Sequence, residues 1–574
     1  MYTRYKRFVA DFETTTAEVS ETETRVWGWG SVEIDKESNE DYGNDIESFM
    51  KWCRKQNKLI YFHNEAFDGK FIIDYLLNNG FEHVEKEELN SNTFSTLISD
   101  MGQFYSIEIC FYKRGKNINK VIIHDSLKLL PMPVSKIAEG FDVGGLKKLE
   151  IDYDEERDHT KPLNELDKKY IRHDLLIVAR ALSILFDMGL DRMTTSSNSL
   201  KSYKDMIGKT KFEAMFPQLE DDSFIRDSYK GGFTYLQENY SASDLDEGIV
   251  YDANSMYPSV MMLEYMPIGF PIVYDGEYEY DKDYPLYVQR LTCVFDLKEG
   301  MLPTIQLKGN LLFKSTEYVK SSNNEEVTLT LTSVDLELFY KHYDVQVVEF
   351  HKGLKFRVAK GMFNEYINYY TEMKVTAKIE NNNSYYIVAK LMLNALYGKF
   401  GTNPKSDRKI PYLNEKGIVS YYIDQSEERE PIYVAVASFI TSYARRNTIT
   451  AGQENYDRFI YADTDSIHLI GKGEAKGIRM HDTDLGAWSV DAEFTKARYI
   501  KQKMYLLGIE NKEDKEKGIG KHCKYITSVA GMRKELQEKL TFGNFRPGTT
   551  FKGDLKAKTV KGGVILFDNE YTLK

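Results

Sequence analysis

Cysteine is scarce in this chain. Its 574 residues contain four, Cys53, Cys110, Cys293 and Cys523, far apart and never in a C-x-x-C pair. That spacing indicates neither a disulfide framework nor a zinc site and suits a reducing cytosol. Long apolar runs are lacking too, and no stretch approaches membrane-spanning length. The opening "MYTRYKRFVADFE" carries basic residues but no apolar run, so no signal peptide is expected. Positive charge is not in excess. A net charge of −12 argues against coating nucleic acid by bulk charge, but leaves room for a basic channel in an acidic body. No internal repeat is evident, and low complexity is confined to the asparagine run at 381–383.

What is present is an ordinary globular composition, 42% hydrophobic and 29% charged, in a chain long enough for about three to five domains. Tyrosine (41) and phenylalanine (31) are abundant. Their default place is the core, and they are also the rings on which bases stack. "KARYIKQKMY", from Lys496 to Tyr505, is a local basic cluster with interleaved tyrosines.

To about residue 190 the pattern alternates strand and helix. "RFVADFETT", "VWGWGSVEI", "KLIYFH", "YSIEICFY" and "KVIIHDSL" read as strands. "KFIIDYLLNNG" reads as a helix closed by Gly80, and "ELDKKYIRHDLLIVARALSILFDMG" as a long amphipathic helix ending at Gly189. This predicts an α/β domain. A connector follows. "YKGGFTYL" holds a glycine pair that permits close backbone approach. "EGIVYDANSMYPSVMM" reads as strand, turn and helix start, with Asn254 or Ser255 as the cap. Residues 264–362 are rich in Tyr, Pro and short strands, 363–400 are helical, and 401–431 form a polar, loop-rich interruption bounded by Pro404 and Pro431. "RFIYADTDSIHLI" reads as a hairpin, and "VKGGVILFD" as another around Gly562 and Gly563.

Acidic residues interrupt these apolar runs. Asp463 and Asp465 stand one residue apart in the first of those hairpins. An isolated D-x-D is ordinarily a turn. The alternative is a hard-cation site that leaves positions open for phosphates. Asp11 and Glu13, at i and i+2 of a strand, point to one side. Asp68 follows a strand in "YFHNEAFDG". Tyr170 and Asp174 share a helix face. Such a set could hold two divalent cations about 3.5–4 Å apart for phosphodiester hydrolysis.

D-x-E, "HNEAFD" and Y-x-x-x-D together resemble the three motifs of the 3′–5′ exonuclease domain of family B DNA polymerases. The resemblance implies metal binding by Asp11, Glu13, Asp68 and Asp174, a water oriented by Tyr170, and a grip on a single-stranded 3′ end by Asn64 and Phe67. Lys148 would contact the scissile phosphate, with Lys147 equal on spacing. The second half is similar to the polymerase motifs of that family. "DANSMYP" matches D-x-x-S-L-Y-P with Met256 for Leu, "KLMLNALYG" matches K-x-x-x-N-S-x-Y-G with Ala395 for Ser, and "YADTDS" and "KQKMY" complete the set. By this resemblance Asp252, Asp463 and Asp465 form the synthetic metal site. Asp465 is favoured for direct ligation by both metals, and Asp463 is placed to assist. Lys390 would meet the triphosphate. Asn394 and Tyr397 would border the nascent pair, with room left by Gly398. Tyr257 would exclude a 2′-hydroxyl. Lys503 and Tyr505, alternating onto one strand face, would hold primer-terminal phosphates. Tyr229, Gly231 and Gly232 resemble the Y-x-G-G motif that binds template.

Motif order and the early D-x-E resemble the protein-primed subgroup of the phi29-type phages. The implied architecture is α/β and multidomain: an RNase H-like exonuclease domain (1–190), linker and first palm segment (191–263), insertion 1 (264–362, terminal-protein contact), fingers (363–400), insertion 2 (401–431, processivity and strand displacement), palm (432–530) and thumb (531–574). The implied cofactors are two divalent metal ions per site, Mg²⁺ first and Mn²⁺ as the alternative. The implied partners are template–primer DNA, dNTPs and a terminal protein at initiation, with single-stranded DNA-binding protein as an accessory. The implied setting is the cytoplasm of a bacterial host. Two alternatives stay open: a DNA-primed family B polymerase, and a stand-alone exonuclease or DNA-binding protein.

Overall fold

The computed structural model describes residues 5–16, 20–149, 162–307, 317–424, 431–510 and 523–574. Parts of both expected insertions, 308–316 and 425–430, and part of the expected palm, 511–522, lie outside the described residues.

The N-terminal domain is built on a mixed eight-stranded sheet. Its order is Lys36–Gly43, Val26–Glu33, Lys6–Thr14, Lys58–Phe62, Asn117–Asp125, Phe104–Arg114, Thr93–Ile98 and Glu82–His83. The central pairings, Lys6–Thr14 with Lys58–Phe62 and Lys58–Phe62 with Asn117–Asp125, are parallel. Burial on both faces explains why these strands read as nearly continuous apolar runs. On one face Phe8, Ala10 and Phe12 join Phe49, Phe62 and Phe71 in a core under helices Ile46–Arg54 and Glu65–Asn78. On the other, Val9, Leu59 and Ile122 pack with Ile171, Leu175 and Leu182 of helix Glu165–Asp187. That helix starts with a capping box, Asn164 with Asp167. Gly80 and Gly189 take positive φ just beyond the two helices they were expected to close.

The second half centres on an antiparallel five-stranded sheet, in the order Trp488–Phe494, Gly248–Ala253, Ser466–Ile470, Phe459–Asp463 and Thr234–Leu236. Helix Val434–Glu454 packs against it. Two antiparallel helices, Asn364–Ile379 and Asn383–Phe400, fill the interval expected to be helical. A four-stranded sheet (Asp244–Leu245, Lys496–Lys501, Met504–Glu510, Cys523–Val529) bridges two cores. Ala497, Tyr499 and Leu507 pack with Val250 and Ile460 of the central sheet, while Ile500, Met504 and Leu506 pack with Leu536, Phe545 and Leu573 of the C-terminal segment.

Three local expectations are corrected. Residues 264–362 hold long strands, among them Leu286–Leu297 and Tyr343–Lys360, in one four-stranded sheet braced by helix Ser333–His342. The described part of the interruption at 401–431 holds a regular hairpin, Arg408–Leu413 with Val419–Asp424. Its polarity marked exposed strand faces, and the period-two pattern was short. Ser255 occupies the N-cap position of helix Met256–Leu263, but in left-handed geometry (φ 53°) and with no side-chain capping bond. Asn254 instead donates its side-chain amide to the His481 carbonyl (2.7 Å).

Two candidate active sites

The first site lies at the end of strand Lys6–Thr14. Asp11 and Glu13 project toward helix Glu165–Asp187, which brings Tyr170 and Asp174, all but Asp11 nearly fully buried. Asp68 comes from the first turn of helix Glu65–Asn78, also buried. Burial and then the charge of Asp174 push the Asp11 carboxyl up to about 7, with Lys148 opposing. Burial, then Asp11 and Glu13, push Asp68 well above the carboxylate range. Carboxyls with these shifts are crowded against one another and starved of counter-charge. Lys148 opposes this, with its Nζ 3.2 Å from Asp174 Oδ2. Lys147, exposed like Lys148, accepts at its carbonyl from His173 Nδ1 (3.2 Å). Asn64 is exposed, has φ 75°, and donates its backbone N–H to Asp125 Oδ1 (3.0 Å). Phe67, half-buried, packs on Phe71 with ring centroids 5.7 Å apart. Glu65, overlooked in the sequence, is fully buried beside Asp68 and Asp125, and neither of its carboxyl oxygens has a hydrogen-bond partner. Only its place one residue after Asn64 could have drawn attention to it.

The second site is assembled by register. Asp252 pairs with Ser466, Asp463 also pairs with Ser466, and the Ala253 N–H donates to the Asp465 carbonyl (2.8 Å). The D-T-D turn therefore closes directly over the end of the Asp252 strand. Thr464, a β-branched residue, is held at φ 64° between the two acids. Ser255 and Lys503 are also left-handed, so three strained non-glycine residues surround one site. Gly232 is required here, because a Cβ on it would come within 2.7 Å of the Thr464 side chain.

Burial, then Asp465, then Asp491 raise Asp252 to about 7, with Lys390 opposing. Burial and Asp463 raise Asp465. Asp463 is differently placed. Its Oδ1 accepts from Lys503 Nζ (2.6 Å) and Thr234 Oγ1 (3.1 Å), and its Oδ2 from the Tyr461 hydroxyl (3.2 Å). It is already satisfied, and holds Lys503 in position. Lys503 corrects the expected strand face. It stands in the turn between Lys496–Lys501 and Met504–Glu510, while Tyr505 packs among Tyr461, His468 and Tyr499. Both converge on Asp463 rather than lying side by side.

Lys390, Asn394 and Tyr397 lie on helix Asn383–Phe400, the first two exposed. Tyr397 stacks on Tyr257 with ring centroids 4.0 Å apart at 22°. Ala395 is half-buried and Gly398 exposed, with open space where a Cβ would stand. Lys374, on the preceding helix, was not singled out by sequence. Its ammonium is depressed by burial and then by Lys390, so two cations face one another. Tyr229 packs against Gly401 at the end of the Lys390 helix, and Gly231 is exposed. Arg445, buried in helix Val434–Glu454, donates to the carbonyls of Lys230 (2.9 Å) and Gly231 (2.7 Å), and so fixes the Y-K-G-G loop. Asp491 on Trp488–Phe494 was also missed, since nothing in "WSVDAEF" sets it apart.

Residues 50–480 match the family model described as DNA polymerase type B, organellar and viral. This chain belongs to the organellar and viral type B DNA polymerases. The polymerase is 43% identical to the DNA polymerase of Bacillus phage B103, covering 99% of this chain and all of that one. It is 42% identical to the DNA polymerase of Bacillus phage phi29, covering 99% of each. A solved structure of phi29 DNA polymerase complexed with primer-template DNA and incoming nucleotides superposes with a TM-score of 0.93 at 41% identity, covering 99% of this chain and all of that one. The polymerase is therefore a DNA-directed DNA polymerase of the phi29-type phages, with an exonuclease-plus-polymerase architecture.

Among the described residues no group of three or more His, Cys, Asp or Glu side chains is arranged, as placed, to hold a metal ion. The donors nonetheless suit a hard cation. They are carboxylate oxygens only, and Asp68 Oδ1 and Asp174 Oδ1 are buried without a hydrogen-bond partner. Among the described residues no helix is long and apolar enough to cross a membrane.

Proposed function

We propose that the polymerase couples strand-displacing, protein-primed DNA synthesis at Asp252 and Asp465 to 3′–5′ proofreading at Asp11, Glu13, Asp68 and Asp174. The observation that carries the two-centre part of this reading is the pair of self-repelling carboxylate sets on two different sheets, and the likeness to the phi29 enzyme supports the rest. Two divalent cations at each set, Mg²⁺ or Mn²⁺, would lower the barrier by activating the attacking oxygen and stabilising the leaving one.

In synthesis, Lys390 and Lys374 receive the triphosphate as point charges. The Tyr257 ring, backed by Tyr397, closes the space that a 2′-hydroxyl would need. Asn394 and Tyr397 border the new pair. Lys503, oriented by Asp463, faces the primer phosphates, with Tyr505 bracing that corner. Tyr229, Gly231 and Gly232 carry the template past the D-T-D turn. In proofreading, Asn64 and Phe67 receive the frayed 3′ end, Lys148 meets the scissile phosphate, and Tyr170 holds the attacking water.

Insertion 1 (264–362) is read as the docking module for a terminal protein, whose hydroxyl replaces a DNA 3′ end. Insertion 2 (401–431) is read as the processivity element. The enzyme would act in the cytoplasm of a bacterial host, alongside a single-stranded DNA-binding protein. The test is extension with labelled dNTPs, with and without a candidate terminal protein. The reading expects covalent labelling of that protein, dependent on Asp252 and Asp465. Efficient extension of DNA primers with no labelled terminal protein would leave a DNA-primed enzyme.

A further inference from the structure

The hairpin Arg408–Leu413/Val419–Asp424 interrupts the polymerase half in sequence, yet it is seated on the N-terminal domain. Val419 is 3% exposed and belongs to the same core as Phe49, Phe62 and Phe71, with Leu413 and Tyr421 packed at its edge. Helix Glu65–Asn78, which carries Asp68, touches both strands of this hairpin. At the hairpin base the Asp100 N–H donates to the Asp407 carbonyl (3.0 Å), and Ser99 bridges to Arg408 in antiparallel fashion.

Arg408 joins three elements. Its Nη1 and Nη2 donate to Glu85 Oε2 and Oε1 at 2.9 and 2.8 Å, a bidentate fork. Nη2 also lies 3.7 Å from Asp424, the cross-strand partner of Arg408. The Arg408 side chain is 15% exposed and that of Glu85 39%. The pair helps line a cavity of about 160 Å³, together with Ser95, Ser106 and Glu108 among others.

We propose that Arg408 and Glu85 are positioning residues for processive synthesis: a latch that fixes the insertion-2 hairpin to the exonuclease domain. The proposal rests on the reading of insertion 2 as the processivity element. An element that displaces a strand must resist force at its tip, and it can do so only if its base is fixed. The apolar seat at Val419 gives attachment without direction. The planar guanidinium–carboxylate fork fixes orientation as well. The polymerase half thus borrows a wall from the proofreading half, and the hairpin angle is set by the exonuclease sheet.

The test uses full-length enzyme on a primed single-stranded circle. Arg408→Ala and Glu85→Ala should each shorten displacement products by roughly three- to tenfold, the range for a partly buried bidentate pair. Addition of one nucleotide to a short primer–template, and trimming of single-stranded DNA, should be unchanged. The swap Arg408→Glu with Glu85→Arg should restore product length. Full-length products from both alanine variants, or a swap that fails to recover the loss, would overturn the latch. A further variant, with residues 405–424 replaced by a glycine–serine linker and its folding checked by single-strand trimming, separates the two levels. If it still displaces strands, the processivity reading fails and the latch with it. If it loses displacement while Arg408→Ala keeps it, only the latch fails.

Discussion

Removing the Asp335 carboxylate would leave the Arg445 guanidinium buried without its counter-charge. Arg445 Nε and Nη2 donate to Asp335 Oδ1 (3.1 Å) and Oδ2 (2.6 Å), with 3% and 11% of the two side chains exposed. Asp335 also accepts from Thr332 Oγ1 (3.0 Å) and Ser442 Oγ (2.7 Å). Breaking a buried pair from one side costs about 3–5 kcal/mol, whereas replacing both partners by apolar groups is often neutral. Asp335→Ala is thus expected to lose about that much in urea or thermal unfolding, and Asp335→Leu with Arg445→Met to recover most of it. The double variant still lacks the donor to the Lys230 and Gly231 carbonyls, so its template–primer binding should stay weak although it folds. A loss below about 1 kcal/mol, the level of an exposed pair, would refute the burial argument. Normal template binding by the double variant would refute the role given to the guanidinium.

Tyr257→Val should raise incorporation of rNTP relative to dNTP on the order of tenfold to hundredfold, measured by single-nucleotide addition; an unchanged ratio would place the steric gate elsewhere. Lys148→Ala should slow single-strand trimming by about ten- to hundredfold, as loss of a group supporting a metal ligand does. Lys147→Ala should leave trimming unchanged, and the reverse result would exchange their roles. Lys503→Ala should weaken primer-terminus binding, read as the concentration of primer–template giving half-maximal extension, because Asp463 then has no cation to orient.

Much of this was legible in the chain because the chemistry is local. Asp11 and Glu13 share a strand face by simple alternation, Tyr170 and Asp174 share a helix face, and Lys390, Asn394 and Tyr397 form one stripe. The hairpin at Gly562 and Gly563 was marked by its glycines. What depended on register between distant segments was not legible. Asp491 reaches Asp252 only because Trp488–Phe494 pairs beside Gly248–Ala253. Lys374 faces Lys390 only through the packing of two helices. Lys503 read as a strand residue because "KQKMY" alternates, yet the tight turn between two strands claims Gln502 and Lys503. The seat of the 401–431 hairpin on the N-terminal domain joins residues more than three hundred positions apart, beyond any local pattern.

The central claim is that two independent carboxylate centres, one in each half, perform synthesis and editing. It is tested most directly on one end-labelled, mismatched primer–template with Mg²⁺, comparing Asp465→Ala with the Asp11→Ala, Asp174→Ala double variant. The account expects Asp465→Ala to trim the mismatch but add no nucleotide, and the double variant to extend matched primers but leave the mismatch untrimmed. Loss of both activities in either variant, with folding intact, would contradict it.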